Sequence, residues 1–227
     1  MNRIPSVMKM HYRDKLSWFY VPFMVLGSSF SVNWIVGLLM TETPLYTGGQ
    51  MSIFIYLFVM GILVLPQTFN FALGFSIRRN DYFAGTSLYG IISSTIISCF
   101  LLLMTVLEQA TNHWGVDLHF FSVPYLNAGS YAQEWFIFFI LTLTMFFGGL
   151  TIGSIYRRFK GVGMIVMTLA VIVLGTLFSF LANKYGWGLT FIEWAVDHTA
   201  FQLALWLIPV ILIYTLVSYI LIRKSTV

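Results

Sequence analysis

Six stretches of the chain run almost without polar interruption, at approximately 18–40, 51–76, 87–107, 135–156, 162–181 and 201–222. A helix needs about 20 apolar residues to cross a hydrocarbon core of about 30 Å, and each stretch is long enough. None of the six contains Asp, Glu, Lys, Arg or His. Each such residue would cost about 2.5–3.5 kcal/mol at mid-membrane. The pattern predicts an all-α membrane protein of six transmembrane helices, forming one domain over residues 1–227. The first stretch is longer than the roughly 7–15 apolar residues of a signal peptide. Thr41, Glu42 and Thr43, which follow it, are not a small-residue cleavage site, so it is expected to be retained.

Two shorter segments show helical periodicity with mixed character. Met8, Tyr12, Leu16 and Phe19 recur at spacings of four, four and three beside Lys9 and Arg13, which predicts an amphipathic helix leading into the first span. Between the fifth and sixth spans, Phe191, Trp194 and Ala195 share one helical face and Glu193 and Asp197 another. Residues 189–198 are therefore expected to form an amphipathic or re-entrant outer helix. The longest connection, 108–134, contains Pro124, Gly115 and Gly129 among polar residues and reads as an ordered loop.

Charge sets the expected orientation. Eleven of the twelve Lys and Arg residues lie in the amino-terminal segment, in 77–86, in 157–161 and after 222, with only Asp14 and Asp81 against them. The other connections carry Glu42, Glu108, Asp117, Glu134, Glu193 and Asp197 against Lys184 alone. By the positive-inside rule the basic segments and both termini are cytoplasmic, in a multi-pass protein of the cell membrane. Trp18 and Tyr20 fall at the inner edge and Trp114, Trp135, Trp187 and Trp194 at the outer one, as an aromatic belt requires. With 59% hydrophobic and 9% charged residues among 227, no stretch is polar enough for a separate soluble domain. The net charge of +4 does not point to nucleic acid, because the basic residues sit at helix ends rather than on a basic face interleaved with aromatics.

Candidate chemistry is sparse. A single cysteine, Cys99, excludes disulfides within the chain and cysteine-based zinc sites, and reads as a small buried hydrophobe. Ser28, Ser29, Ser31, Ser93, Ser94 and Ser98 lie on spans without a histidine to activate them, and are read as small residues that let helices pack closely. On the long outer loop, His113, Asp117 and His119 form a weak metal pattern for which a solvated loop is the better reading; Asp197 and His198 are weaker still. Gly149 and Gly153 form a G-x-x-x-G that marks close helix contact. Gln67 and Asn70, beside Pro66, are either structural glue at a kink or part of a polar translocation seam that Asn33 could join. No metal or cofactor ligand set is assigned.

The connection 77–86 stands apart. Positive-inside anchoring explains Arg78 and Arg79, but not the aromatic pair Tyr82 and Phe83 after Asp81, a composition that suits protein docking. Tyr156, Arg157, Arg158, Phe159 and Lys160 repeat the mixture on the same side. The run Phe75, Ser76, Ile77, Arg78, Arg79, Asn80, Asp81, Tyr82, Phe83, Ala84, Gly85 and Thr86 resembles the loop after the second span in small six-span permease subunits of the ABC type-2 class, the bacterial partners of a separate ATP-binding-cassette ATPase. The resemblance extends to the basic amphipathic amino terminus, the kinked second span and the amphipathic outer helix. It implies that Arg78, Arg79, Asp81, Tyr82 and Phe83 belong to a coupling helix seated in the ATPase, with Arg157, Arg158 and Lys160 as a secondary contact. It also implies a second permease copy or paralogue, and ATP bound by the partner subunit. No G-x-x-x-x-G-K-[ST] occurs in the chain, so nucleotide is not bound here by that route. The absence of ionisable residues from the spans argues against proton or sodium coupling and favours an apolar or amphipathic cargo such as a peptide, toxin or lipid. The alternatives are a membrane-bound enzyme relying on His113, His119 and His198, and a non-transporting accessory or immunity protein.

Overall fold

The computed structural model describes residues 3–39, 44–123, 125 and 129–225. The expected end of the first span at Met40, Glu42, and Pro124 of the long connection lie outside the described residues. The regular structure of the described residues is helical apart from one parallel pair, Leu45–Tyr46 (β1) with Leu118–His119 (β2). The helices are α1 (Ile4–Arg13), α2 (Val21–Leu39), α3 (Met51–Gly74), α4 (Arg79–Ala110), α5 (Tyr131–Tyr185), α6 (Trp187–Asp197) and α7 (Ala200–Arg223), and a π-helical turn, Leu16–Tyr20, joins α1 to α2.

Five helical runs are long and apolar enough to cross a membrane: Leu16–Leu39, Met51–Gly74, Arg79–Ala110, Tyr131–Tyr185 and Ala200–Arg223. The fourth has 55 residues, about 80 Å at 1.5 Å per residue and far more than one crossing. Its backbone leaves helical geometry at Lys160 (φ 53°, ψ −145°), inside the connection expected between two spans. A Ser130–Gln133 capping box starts this run and a Thr199–Gln202 box starts α7, each satisfying donors that a helix start leaves unpaired.

The core is α3 against the first half of α5, flanked by α7 and α4. Glycines decide how closely α3 and α5 approach. A Cβ on Gly61 would meet the carbonyl of Phe146, and one on Gly149 the carbonyl of Phe58. A Cβ on Gly153 would lie 2.6 Å from the carbonyl of Ile62. Pro66 has no N–H to return to Ile62, four residues earlier, so the carbonyl that the proline frees is the one lying against Gly153. The G-x-x-x-G therefore marks the contact its spacing suggests. Small residues line α4 as well: Ser93, Ser94 and Ser98 are buried, and Gly90 makes room for Phe146. Cys99 instead is exposed, taking the Trp135 indole N–H at 3.2 Å; it lies one position off the buried Ile97–Ser98 face, so the expectation of burial is corrected.

The amino-terminal helix packs mainly through a face beside its apolar stripe, of which Phe19 also reaches the core. Val7 and His11 are buried against α4, where a Cβ on Gly85 would lie 2.6 Å from Val7. Tyr12 and Leu16, from the stripe, are 60% and 66% exposed. Beyond Lys160 the rest of α5 is exposed on nearly every side, and α6, which follows a turn at Gly186 (φ 70°), contributes no buried residue.

Candidate functional site

The turn between α3 and α4 is built by Ser76, held at φ 55°, and by Arg78, whose extended backbone caps α4. Residues 79–86 are thus not a separate short helix but the first two turns of α4. Asp81 lies in the first turn, where a carboxylate meets the positive end of the helix dipole.

Hydrogen bonds gather the basic segments at this end of the bundle. The Arg3 guanidinium donates to the Phe75 carbonyl at 2.6 Å, and its backbone N–H to Asp81 at 3.3 Å. Arg79 donates to the Arg223 carbonyl at 3.2 Å. Arg157 donates to the Asn70 side chain at 2.6 Å and lies over the Phe69 ring, 5.0 Å from its centroid. Arg78 and Lys160 are exposed, and Arg158 is half-buried over the Phe159 ring.

The two aromatics of the motif face inward. Tyr82 is fully buried, its hydroxyl 2.7 Å from that of Thr68 and 3.3 Å from the Val64 carbonyl. Phe83 packs against Tyr219 of α7, centroids 5.4 Å apart. Beside them His11 is 1% exposed, its Nε2 3.0 Å from the Thr86 hydroxyl and its ring enclosed by Trp18, Tyr82 and Tyr89. Burial lowers the pKa of His11 to about 4 against an opposing pull from Asp14, so the imidazole is neutral at pH 7. A cavity of about 840 Å³ opens between α1 and the end of α3, walled by Arg3, Lys9 and Arg13 on one side and Phe71 and Phe75 on the other.

The suggested seam is not brought together. Asn70 is engaged by Arg157, and Gln67 is exposed. Asn33 donates to the carbonyl of Ser29 in its own helix at 2.8 Å. It sits toward the end of α2 while Gln67 and Asn70 sit toward the end of the oppositely running α3, so they occupy different depths.

At the far end of α4 the structure assembles a cluster around Glu108, which the sequence reading counted only as outer charge. Glu108 is completely buried. One of its oxygens accepts the Trp114 indole N–H (3.1 Å) and the backbone N–H groups of Phe120 (3.1 Å) and Phe121 (2.8 Å). The other accepts the Ser122 N–H at 3.0 Å and the Ser122 hydroxyl. The loop so gathered is contorted: Asn112, His113, Trp114 and Asp117 all have φ between 51° and 63°, a left-handed conformation that non-glycine residues adopt only when the surroundings impose it. His113 Nδ1 lies 3.8 Å from the Glu108 carboxylate, and His113 and His119 face each other at 3.9 Å between ring centroids. His119 stacks on Tyr46 at 4.3 Å, with Nε2 3.6 Å from Asp117 and Nδ1 3.3 Å from the Ser122 hydroxyl. Its pKa is lowered by burial first and by His113 second, with Glu108 and Asp117 opposing. His113 and His119, read from sequence as solvated, are thus packed into a built cluster. The signal in the sequence was Glu108 five residues before His113, masked because a carboxylate at a span end is also what charge asymmetry calls for. His198 is not part of the cluster; it is held at the Trp194 carbonyl, 2.7 Å away, on the Trp194 ring.

Comparison with protein-family profiles, with characterised proteins and with solved structures finds no significant match to this chain.

Proposed function

We propose that this chain is the membrane subunit of an ATP-binding-cassette transporter, driven by a separate cytoplasmic ATPase and moving or extracting an apolar or amphipathic substrate. The observation that carries the reading is the convergence of Arg3, Arg79, Arg157 and the end of α7 at one end of an apolar helical bundle, linked through Asp81, Asn70 and the Phe75 and Arg223 carbonyls, with Arg78 exposed on the same turn. Six crossings follow when the Tyr131–Tyr185 run is taken as two spans joined at Lys160, with both termini on the cytoplasmic side. α1, with Tyr12 and Leu16 exposed beside its bases, then lies along the inner interface and α6 along the outer one.

The arrangement divides the proposed docking set by role. Arg78, Arg158 and Lys160 present charge outward, while Tyr82 and Phe83 root the same turn in the core, on Thr68 and Tyr219. A push on the turn would therefore be delivered to α4, a continuous helix of 32 residues, about 48 Å of lever ending at Glu108. The basic and aromatic cavity beside α1 suits the head and first carbons of an anionic amphiphile at the inner leaflet. A second copy or paralogue would cover the exposed half of α5, in which none of residues 161–181 is buried.

Charge reversal tests the reading without disturbing the core. With Arg78, Arg158 and Lys160 replaced together by Glu, the chain should still insert and fold, and a soluble ATPase that co-purifies with the wild type from native membranes should be lost. If the ATPase stays bound, the docking surface lies elsewhere; if none co-purifies with the wild type, the transporter reading fails.

A further inference from the structure

We propose that Glu108, His113 and His119 form a binding site for a divalent transition cation of the zinc class at the end of α4 opposite the basic turns, with Asp117 orienting His119 from behind. The three side chains can each turn one ligand atom into a space where all three atoms lie within 4.8 Å of one another. Tetrahedral zinc, with bonds of about 2.0–2.2 Å, holds its ligand atoms about 3.3–3.5 Å apart, so closure asks only for small side-chain adjustments.

Three details favour a cation over a simple polar knot. First, His113 Nδ1 is buried without a hydrogen-bond partner among the described residues, yet points at Glu108 Oε1 across 3.8 Å. That separation is too long for a hydrogen bond and close to the edge of a shared coordination sphere. Second, Asp117 approaches Nε2 of His119 at 3.6 Å, leaving Nδ1 on the side of Ser122 and Glu108. A carboxylate behind one ring nitrogen is how metal-bound histidines are held in tautomer and orientation. Third, Glu108 accepts five donors, one more than the roughly four lone-pair sites of a carboxylate. Oε1 takes only two of the five, and one of these is the Ser122 hydroxyl, a rotor that can turn away and yield its place to a cation.

Two imidazoles and one carboxylate suit zinc, cobalt(II), nickel(II) or copper(II) rather than the all-oxygen shells of calcium and magnesium. Binding would tie the loop carrying Trp114 and β2 to the last turn of α4. The site therefore acts as a metal-dependent clasp on the outer loop, and it stands whether or not the chain is a transporter.

The test uses the full-length protein in nanodiscs, stripped with chelator and titrated with zinc alone by calorimetry, with cobalt(II) as the optical probe. One site per chain is expected, with a tetrahedral cobalt spectrum and a change in Trp114 fluorescence. His113→Gln and His119→Gln should each weaken zinc at least about 100-fold, and Asp117→Asn about 10-fold, the range second-shell partners show. His198→Gln should leave binding unchanged. Size-exclusion profile and thermal unfolding in chelator establish that each variant is folded. Zinc binding that survives both His113→Gln and His119→Gln, that vanishes with His198→Gln, or that is absent from the wild type overturns the site.

Discussion

At Gly149 the carbonyl of Phe58 occupies the space in which a side chain would begin, while Gly175, further along the same helix, has nothing within 4 Å. Gly149→Ala must therefore push α3 and α5 apart, an overpacking that typically costs about 1–3 kcal/mol. Gly175→Ala should be neutral or slightly stabilising. The pair is checked by unfolding in mixed detergent, where only the first variant should lower the midpoint. His11 makes a second residue-scale prediction. Its folded pKa of about 4 lies below the ordinary 6.5, so the undocked state takes up a proton first as pH falls. The stability of α1 docking is intact above pH 6.5 and is lost progressively toward pH 4, by up to about 3 kcal/mol at 1.36 kcal/mol per unit. Hydrogen exchange in residues 4–13 should rise across that window in the wild type. In His11→Gln the rise should be absent, and an equal rise in both would remove His11 as the cause.

Among the elements, hydropathy predicts two spans where α5 runs as one helix of 55 residues, and the break of that helix at Lys160 falls within the basic connection at 157–161. What hydropathy could not indicate is how differently the two halves are treated. The first supplies Phe146, Phe147, Leu150 and the small residues Gly148, Gly149, Gly153 and Ser154 to the core, whereas residues 161–181 are equally apolar and none of them is buried. Hydropathy measures transfer from water and is blind to whether the apolar neighbour is a helix or lipid. If the run crosses twice, cysteines at Arg158 and Lys184 in a Cys99→Ser background should label from opposite sides of intact cells, Lys184→Cys from outside and Arg158→Cys only after permeabilisation. Labelling of both from one side would contradict the two-span reading. The amino-terminal helix teaches a related lesson: periodicity located an apolar stripe at Met8, Tyr12, Leu16 and Phe19, of which Tyr12 and Leu16 are exposed, and the fold packed the neighbouring face, at Val7 and His11, because Gly85 and Thr86 on α4 leave room and a partner there.

For the molecule as a whole, α4 joins two ends of unlike chemistry. One gathers arginines around helix starts and carries the proposed motor contact; the other buries a carboxylate and two histidines under a contorted loop. The unpartnered half of α5 is the surface on which a second copy is expected to sit. Gly175→Cys, again without Cys99, should therefore cross-link between chains in native membranes. A cysteine on the inward-packed face, at Leu150, should not, and monomeric Gly175→Cys would argue for lipid alone around that helix.

The sequence alone was sufficient for the all-helical class and for the long apolar helices, though not for their lengths, because transfer of a side chain between water and lipid is a property of that residue and its near neighbours, whereas α4 and α5 run on past their apolar stretches to 32 and 55 residues. It was also sufficient for the close contact at Gly149 and Gly153, since small residues one turn apart admit few other uses in a membrane helix. Only the tertiary structure decided that Tyr82 is a root rather than an exposed contact, that Asn33 stands apart from Gln67 and Asn70, and that Glu108 meets His113 and His119. Those outcomes depend on helix pairing and on left-handed residues that turn the chain back on itself, and the free energy of such contacts is shared between positions that no local pattern connects.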